Sequence, residues 1–203
     1  MPLPYRAIGI IGPIYSGKSI VAKIATNVLD YQGFSHSTLL MEIAKQNSVE
    51  QIERNTLFNI YKNLYYGEGS DIMARKTLEM VGPEFFLVDG IRNPDEAEYY
   101  RREANAFLIA VDVSIDRNRE NSVKIRRERA LVNPRYGDKI EEFDSRDALE
   151  WGEVDEVYNL EEAMKRAHIH LTNDRTEEDF IRYLKEILLE KTYLFWKKTD
   201  RFR

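Results

Sequence analysis

Residues Gly12 to Ser19 read Gly-Pro-Ile-Tyr-Ser-Gly-Lys-Ser and fit G-x-x-x-x-G-K-[ST] at every fixed position. The context agrees with the motif. Arg6 to Ile11 is a short apolar run that reads as a buried strand, and Ser19 to Leu29 reads as a helix with Ile20, Ile24 and Val28 on an apolar face. A strand, a tight loop and a helix in that order make a phosphate cradle. Gly12 and Gly17 let the backbone turn so that amide N–H groups face an anion. The helix N-terminus adds its unpaired donors and the positive end of its dipole. In such a loop, which includes Ser16, Lys18 reaches the β- and γ-phosphates and the Ser19 hydroxyl joins a magnesium shell. The competing glycine-rich fingerprint, G-x-G-x-x-G, does not fit the spacing of Gly9, Gly12 and Gly17. The motif therefore predicts binding of a nucleoside triphosphate, ATP with Mg²⁺ being the natural candidate.

Length and composition bound the rest. A chain of 203 residues suggests one domain with room for an inserted lid. It contains no cysteine, which excludes disulfides and thiolate metal sites and fits a reducing cytoplasm. A net charge of −5 argues against general nucleic-acid affinity. Met1 to Tyr5 lacks the basic start and apolar stretch of a signal peptide, and no run approaches the length of a membrane span. The expectation is a cytoplasmic protein with no membrane or nucleic-acid partner.

Punctuation residues divide the remainder. Asp30 to Gly33 reads as a helix stop with Gly33 left-handed, followed by a short strand over Phe34–Ser37 and a helix over Thr38–Gln46. Ser48 with Gln51 reads as a capping box for a helix running to about Leu64. Gly67 and Gly69 break the chain before a helix over Ile72–Val81. Glu84 to Gly90 is an apolar strand ending in the acid Asp89, and Asn93-Pro94-Asp95-Glu96 is a helix start with an Asn cap and Pro at the first position. Ala106–Val113 and Ala167–Thr172 read as buried strands, and Thr176 with Asp179 caps a final helix. Strands alternating with helices predict an α/β fold, a parallel sheet with helices on both faces. Its strand ends bring Gly12–Ser19, Asp89–Arg92 and Asn173-Asp174 to one edge.

Asp89 ends its strand where such proteins place a carboxylate that orders magnesium beside the Ser19 hydroxyl. Arg92 can offer a fork to a phosphate, or it can pair with Asp89 at the surface. Arg117, Arg119, Lys124, Arg126, Arg127 and Arg129 crowd the stretch after Val113. Arginine forks stabilise a phosphoryl-transfer transition state, so this stretch reads as a lid over about 117–147, with Arg126 and Arg127 as the preferred pair. The alternative is a solvated charged helix, since Glu120 and Glu128 interleave. Asn173 and Asp174 either line a base pocket or cap the next turn. His168 and His170 alternate onto one side of a strand without a third ligand nearby. The tail Tyr193–Lys198 mixes aromatic and basic residues and suits core packing or a homo-oligomer contact.

These motifs resemble the nucleoside monophosphate kinase and dephospho-CoA kinase group of P-loop kinases, including the kinase-like domain fused to some deoxycytidylate deaminases. The carriers are Gly12–Ser19, Asp71-Ile72-Met73-Ala74-Arg75, Val88–Glu96, Phe107–Asp112, Phe143-Asp144-Ser145-Arg146-Asp147 and Ala167–Asp174. The resemblance implies a five-stranded parallel sheet, ATP and Mg²⁺ as cofactors, and a lid that closes over the phosphates. It also carries departures. The Asp that these kinases place after the second strand appears here as Thr38, and the Arg that grips the acceptor phosphate appears as Met41. Arg54, Lys62 and Arg75 are the candidates to supply that charge, and each also reads as a solvated helix residue. The sequence thus favours a phosphotransferase with a small nucleotide-like acceptor. Its rival is a nucleotide-sensing regulatory module without phosphoryl transfer, a reading that Thr38 and Met41 favour.

Overall fold

Ala7–Ile11 and Ala106–Asp112 run side by side through the middle of the fold, both buried along their whole length. Strands covered on both faces read as continuous apolar runs and belong to parallel sheets. In the computed structural model, which describes residues 5–114, 118–132 and 140–199, these are β1 (Ala7–Ile11) and β4 (Ala106–Asp112). They join β2 (Gln32–Ser35), β3 (Phe86–Ile91) and β5 (Ile169–Thr172) in one sheet of order β2-β3-β1-β4-β5. Every pairing is parallel.

The strand alternation divides the core into two layers. Ile8 and Ile10 of β1, with Phe107, Ile109 and Val111 of β4, pack under α1 (Lys18–Leu29) and α9 (Glu177–Thr199). Ala7 and Ile11, with Ala106, Leu108 and Ala110, face α4 (Ile72–Val81), α5 (Pro94–Ala104) and α8 (Leu160–Lys165). The remaining helices gather at the strand C-terminal edge. They are α2 (His36–Gln46), α3 (Arg54–Glu68), α6 (Arg119–Val132) and α7 (Phe143–Glu150). A third cluster, built on Leu39, Tyr61, Met73 and Tyr158, ties α2, α3 and α4 together. Among the described residues, no helix is long and apolar enough to cross a membrane.

The helix over Ile72–Val81 and the Asn93 cap stand as the sequence predicts. Asn93 Oδ1 accepts the Asp95 N–H at 2.9 Å. Several boundaries differ, and β2 spans Gln32–Ser35 rather than Phe34–Ser37, so that α2 opens at His36. Asp30, not Gly33, takes the left-handed position after α1, with φ 60°. Asp tolerates that conformation through its short polar side chain. Gly33 lies inside β2 instead, where a Cβ would sit 3.3 Å from Thr26 of the crossing helix. Ser48 is no capping residue either. It is left-handed (φ 56°) in the turn that closes α2, with its own N–H given to Lys45 O, and α3 begins only at Arg54. The final helix starts as its Thr176–Asp179 pair implies, since Asp179 N–H donates to Thr176 Oγ1 at 3.2 Å. The side chains of Tyr193–Lys198, Arg117 and the 133–139 stretch lie outside the described residues.

Candidate active site

The Gly12–Ser19 loop leaves β1 at the centre of the sheet and enters α1 at Lys18. Its two fixed glycines are required by their surroundings. A Cβ at Gly12 would lie 2.3 Å from Val111 O, and one at Gly17, which has φ 102°, would lie 2.1 Å from the Asn173 amide nitrogen. Asn173 explains the second contact. Its side-chain amide donates to Ser16 O at 3.0 Å, while its own N–H donates to Asp112 O at 2.7 Å. Asn173 is buried and ties the loop to the end of β4.

Four charged side chains meet on the β3 side of this loop. Lys18 Nζ donates back to Pro13 O at 2.9 Å. Burial pulls its ammonium below the usual lysine value, and Asp89 and Glu150 offset that only in part. Asp89 sits at a bulge in the β1–β3 ladder, where Ile10 pairs with Asp89 and Ile11 skips to Ile91. Bulges of this kind re-aim side chains beside active sites. Arg92 does not pair with Asp89 at the surface. Its Nε and Nη2 both donate to Glu150 Oε1, at 2.9 and 2.8 Å, and Nη1 donates to Gly90 O at 3.0 Å. Glu150 Oε2 accepts the Ile14 N–H of the loop at 2.9 Å. Burial alone would raise the Glu150 carboxyl, but Arg92 and Lys18 hold it below the ordinary glutamate value.

The two preferred lid arginines separate. Arg126 is fully buried beneath the loop. Its Nη1 bonds Asp147 Oδ1 at 2.5 Å and Ile14 O at 3.2 Å, and its Nε bonds Ser122 Oγ at 3.0 Å. Ser122 in turn donates to Asp112 at the end of β4. Arg127, one residue on, points outward and pairs with Asp144 at 3.4 Å, both half exposed. Successive helix residues are about 100° apart, so neighbours cannot share a face. The partner of Arg126 on the loop side is Arg129, whose Nη2 donates to Asn173 O at 2.6 Å and whose Nη1 donates to Tyr15 O at 3.5 Å. One face of α6 is thus anchored under the loop through Ser122, Arg126 and Arg129, while Lys124, Arg127 and Glu128 stay exposed. Arg119 pairs with Asp147 and Glu153 and stacks over Trp151 at 4.9 Å, which ties α6 to α7.

Among the buried side-chain polar atoms without a hydrogen-bond partner, Ser16 Oγ, Asp89 Oδ1 and Arg126 Nη2 all belong to this site. An unsatisfied buried polar atom carries a desolvation cost of about 1–3 kcal/mol, so a cluster of them calls for a reason. They suit a phosphate chain and its cation. Magnesium is held by one or two carboxylates together with phosphate oxygens and water, and Asp89 with the loop's Ser19 would be the residues to hold it. No group of three or more His, Cys, Asp or Glu residues fit to hold a metal occurs among the described residues. His168 lies just before β5, where its Nδ1 accepts the Leu108 N–H at 2.9 Å and its ring stacks on Phe107.

The end of β4, α6 and the turn after β5 border an open cleft of about 540 Å³, lined by Val113, Asn121, Lys124, Ile125, Glu128 and Asp174. Asp174 therefore borders a cavity that Asn173 does not reach. On the opposite side, Thr38 serves the α2 cap, its N–H donating to Ser35 Oγ at 3.1 Å, and Met41 is exposed. Lys62 pairs with Asp155 at 2.5 Å and Arg75 with Asp71 at 3.0 Å. Behind them lies a buried polar cluster. Glu96 accepts from Tyr61 Oη at 3.0 Å and from Arg92 N–H at 3.2 Å, and His36 Nε2 meets Tyr100 Oη at 2.9 Å.

Sequence reasoning passed over Glu150, Asp147 and, as a site residue, Arg129. For Arg129 a signal existed, because it lies three residues after Arg126 on the same helix face. For Glu150 there was none: it meets Ile14 across 136 residues of chain.

No protein-family profile matches the sequence. Curated relatives do. A UPF0200/UPF0201 protein of Archaeoglobus fulgidus is 27% identical over 197 residues, covering 94% of this chain and 57% of the relative. The chain thus spans little more than half the length of that protein. A UPF0200 protein of Methanothrix thermoacetophila is 28% identical over 186 residues, covering 91% of this chain and 97% of the relative. Among solved structures, a gluconokinase from Sinorhizobium meliloti superposes with a TM-score of 0.54 at 12% identity, over 98% of this chain and 99% of its own. A shikimate kinase from Acinetobacter baumannii gives 0.52 at 13% over 92% and 94%. A dephospho-CoA kinase from Campylobacter jejuni gives 0.51 at 17% over 93% and 98%. At these identities the likeness is one of fold, and the fold is that of the small-molecule P-loop kinases.

Proposed function

We propose that the protein is an ATP- and Mg²⁺-dependent phosphotransferase acting on a small nucleotide-like acceptor, such as a nucleoside or deoxynucleoside monophosphate or a coenzyme A precursor. The observation that carries this reading is the gathering of Ser16 Oγ, Asp89 Oδ1 and Arg126 Nη2, all buried and partnerless, around a loop that also holds Lys18. The narrower likeness to kinase-like domains fused to deoxycytidylate deaminases rests on the sequence motifs, and it keeps deoxynucleotides on the acceptor panel.

Each residue has a task under this reading. The amides at the start of α1 hold the inner phosphates, with Asn173 fixing the loop. Asp89 and Ser19 hold the cation, which neutralises charge between phosphates when bound. Lys18 swings from Pro13 O onto the transferring group, and Arg126 offers Nη2 from below. Arg129, through Tyr15 O and Asn173 O, keeps the loop in shape. The cleft bounded by Val113, Ile125 and Asp174 takes the base. No separate general base is required, because positioning and electrostatics supply most of the rate in phosphoryl transfer.

The full engagement of Arg92 by Glu150 favours a second reading, a nucleotide-sensing module that binds without turnover. Incubation with γ-labelled ATP–Mg²⁺ and a panel of nucleotide, coenzyme precursor and sugar acceptors separates the two. Label transferred to one acceptor supports the phosphotransferase. Tight ATP binding with no transfer to any acceptor supports the sensor.

A further inference from the structure

Glu150 stands where a ligand's anion belongs. One carboxylate gathers a loop amide, Ile14 N at 2.9 Å, and the paired donors of Arg92 at 2.9 and 2.8 Å. It lies close enough to Lys18 for each to alter the other's charge. At 5% exposure it is a built contact and not a surface pair. An amide of the phosphate loop, an arginine fork and the loop lysine are the donor set that a phosphoryl group would use. These donors also lie at one end of the site. The start of α1, from Gly17 onward, is where the inner phosphates bind by their fit to helix-terminal amides. Ile14 and Arg92 lie upstream of it, on the Asp89 side, where the terminal phosphate and the acceptor would meet.

Resting on the nucleotide reading above, we propose that Glu150 makes the site discriminate triphosphate from diphosphate. A diphosphate fills the α1 end and leaves the carboxylate on Ile14 and Arg92. A triphosphate brings its outer phosphate to the same donors, and two anions cannot share them in a dry site. The carboxylate then has to leave. Glu150 is the last residue of α7, and Asp147, one turn earlier, is bonded to Arg126. Expelling the carboxylate therefore loosens the end of α7 beyond the Asp147–Arg126 anchor and frees Arg92 for an acceptor only when a triphosphate is present.

Calorimetric titration of the wild-type chain and Glu150→Gln with ATP–Mg²⁺ and ADP–Mg²⁺ tests this. Removing the competing charge should tighten ATP by about tenfold or more, since the binding-competent fraction rises, and leave ADP within about twofold. A parallel change in both nucleotides, or weaker ATP binding, would overturn the proposal and make Glu150 a support for Arg92. If neither protein binds either nucleotide, the nucleotide reading falls first and takes the proposal with it. Because Glu150→Gln leaves Arg92 without its partner, a second measurement uses the wild-type chain. Amides of Ala148–Glu150, at the end of α7, should exchange faster with a non-hydrolysable ATP analogue than with ADP. Equal exchange in the two states would refute the displacement.

Discussion

Arg126 Nη1 and Asp147 Oδ1 meet at 2.5 Å directly under the Gly12–Ser19 loop, and neither side chain reaches solvent to any useful extent. The pair joins α6 to α7 and also reaches Ile14 O of the loop. It is therefore both a brace for the fold and a support for the site.

Breaking this pair from one side should be costly. Asp147→Asn leaves Arg126 charged and desolvated, and losses of about 3–5 kcal/mol are usual when a buried pair loses one partner. Arg127→Ala is the matched control. Its ion pair with Asp144 is half exposed and should contribute at most about 1 kcal/mol. Urea unfolding of the two variants checks the contrast, and comparable losses would mean that the Arg126 site is wetter than its geometry implies.

Lys18→Ala should cut phosphoryl transfer by at least ~10²-fold, because a charge aimed at the transferring group is lost. Stability should hold or rise slightly. Burial disfavours the Lys18 ammonium, and the Pro13 O bond with the charges of Asp89 and Glu150 offset that only in part, so its removal relieves a desolvated charge. Turnover with a confirmed acceptor, measured beside the thermal midpoint, tests both halves. Wild-type turnover in this variant would remove the kinase reading.

The fold was legible because its central strands β1 and β4 are buried on both faces and its turns carry strong punctuation. Ile8 and Ile10 alternate with Ala7 and Ile11, and the Asn93-Pro94 start admits one interpretation. The loop and Asp89 were legible because their spacing to the strand ends is local. The charge network was not. Whether Arg126 or Arg127 faces the loop depends on the rotational setting of α6, which a sequence of alternating charges leaves undetermined. That Arg92 is held by Glu150 depends on how α7 docks, a long-range event with no local periodicity to announce it. Ser48 misled for a related reason, since the same side chain serves a helix start or a left-handed helix end.

Asn173→Ala should loosen the loop without touching a ligand. The lost amide leaves Ser16 O without its donor, a cost of about 1–3 kcal/mol for a buried carbonyl. ATP and ADP should weaken together, because the loop serves both. Titration with each nucleotide checks this, and unchanged affinities would mean that Gly17 and the glycine geometry alone hold the loop.

Glu96 gives a pH dependence of definite sign. Burial raises its carboxyl from the ordinary 4.5 to about 7, against the donors Arg92 N–H and Tyr61 Oη, which act to lower it. The folded chain therefore binds this proton more tightly than the unfolded chain between those values. By linkage, stability from this group is full below pH ~4.5, is lost as pH rises through 7, and the loss levels off about one unit above that. His36 works in the opposite sense, since burial lowers it from 6.5 to about 3 and the unfolded chain takes up its proton first as pH falls. Subtracting the profile of Glu96→Gln from that of the wild-type chain isolates the Glu96 contribution. The wild-type chain should lose ground to the Gln variant steadily from pH 5 to 7, more slowly from 7 to about 8, and hold a constant difference above that. Urea unfolding at these pH values provides the measurement. A difference that is flat throughout would mean that Glu96 stays ionised inside the fold, held there by Arg92.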